Sequence, residues 1–134
     1  MRYAELRTDA VIIACAISAG VHAALAPDHF RETTAAGAGF VVAAVVLGAL
    51  AVVLTRRPTE LAFAATAAVF AGLIVSYVLA VTTGIPVLHP DVDAVERIAL
   101  ATKAVEALGL ALAASRVPRP SVLFDLTQPK GTLT

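Results

Sequence analysis

The sequence has no tryptophan, a single cysteine and few aromatic residues, which make up 5% of its 134 residues. The lone thiol of Cys15 cannot form a disulfide within the chain, and no CxxC pair indicates a zinc or redox site. Charged residues amount to 15%, compared with about 25% in a typical soluble domain. The formal net charge is +0, so the composition provides no attraction to nucleic acid. These scarcities argue against a disulfide-stabilised domain and against a nucleic-acid partner.

Sequence motifs of well-known enzyme classes are also missing. The chain has no P-loop, no GxSxG and no HExxH. Its histidines are not expected at matched depth on two facing helices, so a haem held between two histidines is not predicted. We therefore expect a protein without enzymatic activity.

What the chain does contain is apolar sequence: 59% of the residues are hydrophobic, and the mean hydropathy is +0.86. This exceeds what one small core can bury, which leaves the lipid bilayer as the solvent. Apolar runs fall at about 10–26, 36–54, 61–83 and 94–114, and a spanning helix needs about 20 residues. Strands would leave backbone groups unpaired in lipid. The sequence predicts an all-α, multi-pass cell-membrane protein, an antiparallel up-down four-helix transmembrane bundle.

The distribution of charge predicts the orientation of this bundle. Most basic residues lie before the first run, between the second and third, or after the fourth: Arg2, Arg7, Arg56, Arg57, Arg116, Arg119 and Lys130. The positive-inside rule places these regions, and both termini, in the cytoplasm. The opposite face collects acidic residues and histidines: Asp28, His29, Glu32, His89, Asp91, Asp93 and Glu96. Residues 115–134 contain three prolines and no periodicity, so they are expected to form a flexible cytoplasmic tail.

The first apolar run also has features of a signal peptide. A basic start precedes it, and Ala24-Leu25-Ala26 fits the small-x-small cleavage pattern. Against cleavage, Pro27 would become the first mature residue and His22 interrupts the apolar stretch. An uncleaved helix is the prediction, with cleavage after Ala26 as the alternative.

Three histidines on the outer half suggest a metal site. On a straight helix, His22 and His29 would lie about 10.5 Å apart along the axis, too far for one ion. If Pro27 ends the helix near Ala26, His29 can fold back over the mouth of the bundle. Together with His89, the two histidines would then form a site for copper or zinc. Asp28, Asp91 or Asp93 would add an oxygen or orient a ring. A metal-binding membrane protein is the leading functional prediction. The alternative is a neutral His22 bonded to a neighbouring carbonyl or carboxylate, with the other two histidines in solvent.

The fourth run carries two ionisable residues, Lys103 and Glu106, three positions apart, which can pair with each other. The fourth helix of an up-down bundle neighbours the first, so Glu106 is expected to face the helix of His22. The pair is either an internal polar clamp or, with His22, the proton or ion relay of a small transporter. Four hydroxyl residues are expected to bond to backbone carbonyls instead: Ser18, Thr66, Ser76 and Thr102.

Two stretches carry a family resemblance: residues 21–30 (VHAALAPDHF), and residues 83–86 (TGIP) followed by an acidic linker and a span bearing Glu106. Together they resemble small four-helix membrane proteins of high-GC Gram-positive bacteria. The resemblance covers most of the chain. It implies the four-helix topology and groups His22, His29 and Glu106 as features, but implies no reaction. A third functional alternative is a structural accessory subunit that packs in the bilayer beside a membrane protein partner or a second copy.

Overall fold

The computed structural model describes residues 2–86, 91–92 and 94–118 of the chain. Four helices account for most of them: α1 (Arg2–Glu32), α2 (Thr34–Arg56), α3 (Glu60–Thr82) and α4 (Arg97–Ala114). The described residues contain no β-strand, so the predicted all-helical fold with four helices is confirmed. Residues 119–134, most of the predicted tail, lie outside the described part.

Three of the helices, α1, α2 and α3, are long and apolar enough to cross a membrane. The most apolar stretch of each is only 33%, 17% and 17% buried, respectively. The other residues of these stretches are half-buried or exposed, and lipid would cover their apolar surface favourably where water would not. Helix α4 is not in this group, because its 18 residues include Arg97, Lys103 and Glu106.

Helix α1 is longer at both ends than the first apolar run. The helix end near Ala26 that the metal-site hypothesis required does not occur, because Pro27 lies inside the helix. Polar side chains hold the last turns: His29 Nδ1 donates to the carbonyl of Leu25 (2.9 Å), and Arg31 pairs with Asp28 (2.7 Å). Because the helix continues to Glu32, Asp28 and His29 do not fold back over the bundle.

The chain reverses at Thr33, not at Pro27. Thr33 is the only residue between α1 and α2, and its extended backbone (φ −145°, ψ 148°) ends one helix and begins the next. Its hydroxyl accepts the N–H of Ala36 (3.0 Å), the usual role of an N-cap threonine. The ring of Phe30 lies on Gly37, where any Cβ would overlap it. The Thr33 cap and the contact of the Phe30 ring with Gly37 therefore stabilise the turn between α1 and α2.

Replacing Pro27 with alanine is expected to stabilise the protein by about 1–3 kcal/mol, because the helix regains a backbone N–H and loses the clash of the ring. Thermal unfolding in detergent measures the change. Pro58→Ala is the matched control, since Pro58 precedes α3 and interrupts no helix. A loss of stability in Pro27→Ala, or an equal gain in both variants, would contradict this explanation.

The helices pack so that most of the buried polar residues lie in one half of the bundle. Helix α1 packs most extensively against α2 and also against α4, and α4 packs against α3. An apolar cluster fills the half that contains the start of α1: Val11, Ala14, Cys15, Leu47, Leu54, Ala62, Phe63, Phe70 and Ala113. At that end Arg116 donates to the hydroxyl of Thr8 (3.4 Å). The other half holds the buried residues Ser18, His22, Thr102 and Glu106. Thr66 is also buried, but its hydroxyl donates to the carbonyl of Ala62, a member of the apolar cluster.

Candidate functional site

A cavity of about 480 Å³ occupies the polar half of the bundle and is partly open. All four helices line it, and its size lies within the range of about 300–1,000 Å³ typical of ligand sites. Space is available because several lining residues are small: Ala36, Gly39, Ala43, Ala80 and Ala99. The cavity is therefore the natural place to look for a bound solute.

Glu106 is completely buried, with a relative exposure of 0%. Its Oε1 accepts a hydrogen bond from the hydroxyl of Ser18 on α1 (2.6 Å). Its Oε2 accepts a hydrogen bond from the ammonium of Lys103, which lies on α4 like Glu106 itself (2.5 Å). A carboxylate removed from water needs this kind of pairing, since its desolvation costs several kcal/mol. Glu106 thus links α1 to α4 from beneath the cavity.

Lys103 lies between Glu106 and the cavity. Its side chain is 16% exposed and belongs to the lining. Besides the bond to Glu106, its ammonium donates to the carbonyl of Leu73 (3.5 Å) and lies 5.7 Å from the centre of the Tyr77 ring. A carboxylate, a carbonyl and an aromatic face therefore surround one ammonium group.

Tyr77 and Ser18 belong to the site although the sequence did not predict either of them there. The hydroxyl of Tyr77 is buried and has no hydrogen-bond partner in the part of the chain that the structure describes. The available signal was its position, since Tyr77 is the one tyrosine inside an apolar run. The expectation that Ser18 bonds to the backbone is wrong. For Thr66 and Thr102 it is confirmed by bonds of 2.8 Å to the carbonyls of Ala62 and Ile98.

His22 completes a polar chain with Ser18 and Glu106. Its Nδ1 lies 2.8 Å from the carbonyl oxygen of Ser18, which can only accept, so we assign the proton to Nδ1. The same nitrogen lies 3.4 Å from Ser18 Oγ, whose own proton points to Glu106. His22 and Lys103 both line the cavity. The structure therefore brings together His22, Lys103 and Glu106, the three members of the predicted relay.

The predicted metal ligands are arranged differently from the expectation. His22 and His29 lie on one continuous helix, seven residues and therefore about 10.5 Å apart along its axis, which is too far for one ion. The ring of Phe40 lies near both, with centroid distances of 5.2 Å to His22 and 3.6 Å to His29. Asp28 is paired with Arg31, and His89 lies outside the described residues.

Within the described residues, no group of three or more His, Cys, Asp or Glu side chains is arranged to hold a metal ion. The copper or zinc site that includes His89 therefore stays a prediction. The fold-back on which it was based is wrong, because α1 does not end before His29.

Comparison of the chain with protein-family models, with curated proteins and with solved structures finds no match. The resemblance of the two short stretches to a four-helix membrane family stays a prediction. Function is therefore inferred from the cavity and from the buried groups beneath it. These groups, an imidazole, an ammonium and a carboxylate, are all able to gain or lose a proton.

Proposed function

We propose that the protein is a multi-pass cell-membrane carrier, in which a small solute enters the cavity and its movement is coupled to a proton or ion through Glu106, Lys103 and His22. The observation that carries the proposal is the complete burial of Glu106 below a cavity. Ionisable residues at membrane depth are costly and occur mainly on substrate, ion or proton pathways.

All four helices cross the bilayer in this proposal. Helix α4 has 18 residues, a length of about 27 Å, close to the hydrocarbon thickness of about 30 Å. Its central charges do not face lipid, since the side chains of Lys103 and Glu106 are 16% and 0% exposed. Burial of the ion pair inside the bundle thus makes a fourth span compatible with lipid.

The helices alternate in direction in this proposal. Along the α1–α4 interface, Thr8 contacts Arg116 and Ser18 contacts Glu106, so the residue number rises on one helix as it falls on the other. Helices α1 and α2 are separated by Thr33 alone, which favours an antiparallel neighbour. Basic residues cluster at one end of this arrangement: Arg2, Arg7, Arg56, Arg57 and Arg116. By the positive-inside rule that end is cytoplasmic, and the cavity opens to the opposite face.

The position of the apolar cluster favours a carrier over an open channel. Beyond Glu106, the half of the bundle near Arg116 is filled by buried side chains such as Phe70, Leu47 and Val11. Solute that reaches the cavity must therefore wait for a rearrangement before it can leave on the other side. Because Glu106 bonds to both Ser18 and Lys103, a change in its charge or partner would alter the contact between α1 and α4. Such a change would couple proton or ion binding at Glu106 to the rearrangement that releases the solute.

Flux measurements on proteoliposomes that contain a pH-sensitive dye test the proposal. The panel of solutes includes organic cations, organic anions and, because His22 and His29 line the cavity, copper and zinc ions. We expect at least one solute to drive a pH change, and Glu106→Gln to reduce it to the background of empty liposomes. Glu60→Gln, at the exposed start of α3, is the matched control and should retain the flux.

Two results would overturn the carrier proposal. One is the absence of flux for every solute in the panel, with protein that is folded and inserted. The other is flux that survives Glu106→Gln unchanged, because the buried carboxylate would then have no part in transport.

A further inference from the structure

The surroundings of Lys103 form a ready-made site for an ammonium group. Its Nζ contacts the carboxylate of Glu106 at 2.5 Å and the carbonyl of Leu73 at 3.5 Å. The aromatic face of Tyr77 lies 5.7 Å away. Charge-assisted hydrogen bonds and cation–π contacts are the two main ways in which proteins bind alkylammonium ions. The lysine side chain, a primary amine on a four-carbon stem, thus occupies the site as a tethered ligand.

This ammonium site borders the cavity, because the Lys103 side chain is part of the lining. Apolar residues provide much of the wall above it, among them Leu25, Phe40 and Ile98. Three carboxyl-bearing residues also line the cavity: Glu32, Glu96 and Asp28, the last of which is paired with Arg31. Carboxylates outnumber the one lysine in the described part of the lining, which favours a cation over an anion. Apolar walls favour a ligand with a hydrophobic body.

We propose that the cavity binds an organic monocation, a primary ammonium on a small apolar body, whose ammonium takes the place of the Lys103 ammonium at Glu106. The proposal rests on the proposed function, since it names the class of solute that the carrier moves. It is specific about the exchange: one external ammonium enters, and Lys103 gives one proton to the water of the cavity.

The charges balance in this exchange. The solute brings one positive charge, Lys103 passes from –NH₃⁺ to –NH₂ as one N–H bond breaks, and the proton leaves as H⁺ on water. Glu106 stays a carboxylate throughout, and no second charge is added to the interior, where it would be costly. The other ionisable groups facing the pair are His22 on α1, reached through Ser18, and Tyr77 on α3. The residues that α2 adds to the cavity lining are not ionisable.

An organic anion fits the same site less well. It would have to bind Lys103 in competition with Glu106, which would leave a buried carboxylate without its cation. It would also pass the carboxyl-bearing residues that line the cavity. A cation meets neither obstacle.

Titration calorimetry on the full chain in detergent tests the proposal, with hexylammonium as the probe and hexanoate as the anionic counterpart. Repeating the titration in buffers of different ionisation enthalpy gives the number of protons released. We expect hexylammonium to bind with release of about one proton and hexanoate not to bind, since Glu106 supplies the only carboxylate that contacts the ammonium of Lys103 within the described residues.

Three variants test whether the bound ammonium replaces that of Lys103 at Glu106. Lys103→Met removes the tethered ammonium, so hexylammonium should bind at least about tenfold more tightly and release no proton. Lys103→Arg keeps a cation that cannot be deprotonated, so binding should be lost. Glu106→Gln removes the anion and should weaken binding at least about tenfold. If Lys103→Met does not fold, the arginine variant and proton release by the unmodified chain still decide the question.

Binding of hexanoate in place of hexylammonium would overturn the proposal, as would binding of hexylammonium without proton release or without dependence on Glu106. Failure of every alkylammonium to bind, alongside Glu106-dependent flux of another solute, would remove the substrate class and leave the carrier proposal intact. Cation binding without any flux would support the cation site but contradict the carrier proposal.

Discussion

Lys103→Met is expected to lower the free energy of unfolding by about 3–5 kcal/mol, because it leaves the completely buried carboxylate of Glu106 without its cation. Ser18 would still donate to Oε1, but Oε2 would lose the only hydrogen bond that the described residues provide for it. Chemical or thermal denaturation in detergent micelles measures the change.

The double variant Lys103→Met/Glu106→Leu gives the decisive comparison. Removing both charges replaces a desolvated ion pair by apolar side chains, which is often neutral or stabilising. We therefore expect the double variant to be more stable than Lys103→Met alone, by most of the original loss. Arg31→Met is the control: its pair with Asp28 has side chains that are 81% and 64% exposed, so its removal should cost less than about 1 kcal/mol. Equal losses in Lys103→Met and Arg31→Met would refute the importance of burial.

Phe70→Ala is expected to have a comparable effect, a loss of about 3–5 kcal/mol, because Phe70 is completely buried in the apolar cluster and its removal leaves a cavity. The cluster closes the half of the bundle opposite to the candidate site. In the carrier proposal, Phe70→Ala should also raise the leak of protons through proteoliposomes. Unfolding in detergent measures the first effect, and dye-loaded vesicles measure the second.

Gly109 supplies a matched test of this packing. A Cβ at Gly109 would lie 2.5 Å from Cε2 of Phe70 and 3.0 Å from the Cβ of Ala14, so Gly109→Ala should cost about 1–3 kcal/mol by overpacking. In the Phe70→Ala background the same methyl group fills vacated space, and the cost should disappear or reverse. Gly48→Ala is the control, since its Cβ would meet nothing within 4 Å and should stabilise α2 by up to about 1 kcal/mol. Additive losses at Gly109 and Phe70 would contradict the contact.

Much of the fold could be predicted from the sequence, because run length and helix geometry are local properties. The second and third runs, at about 36–54 and 61–83, agree closely with Thr34–Arg56 and Glu60–Thr82. The first run was too short at both ends. Hydropathy detects apolar residues, but a helix also continues through polar ones such as Arg31 when side chains bond within the last turn. The position of a proline was a poor guide to the end of α1 for the same reason.

The candidate site could be predicted only in part. Lys103 and Glu106 are three residues apart on one helix, so their capacity to pair follows from helical geometry alone. The partner of Glu106 on α1, Ser18, lies 88 positions away in sequence, and no spacing rule connects them. The same holds for Tyr77, whose ring faces Lys103 from α3. Which helix faces which, and at what rotation, depends on the packing of all four.

By itself, the sequence determined that the protein is helical and rich in long apolar segments, of which it predicted four as spans where three of the helices are long and apolar enough for a membrane. It also determined that a few ionisable residues would have to be accommodated among apolar ones. These are consequences of composition and of the length of each apolar run. Only the tertiary structure decided that His22 and His29 remain a full two turns apart on an unbroken helix, and that Glu106 is held by Ser18 and Lys103 beneath a cavity. Contacts between segments distant in sequence decide these points, because they depend on how helix surfaces fit together in three dimensions.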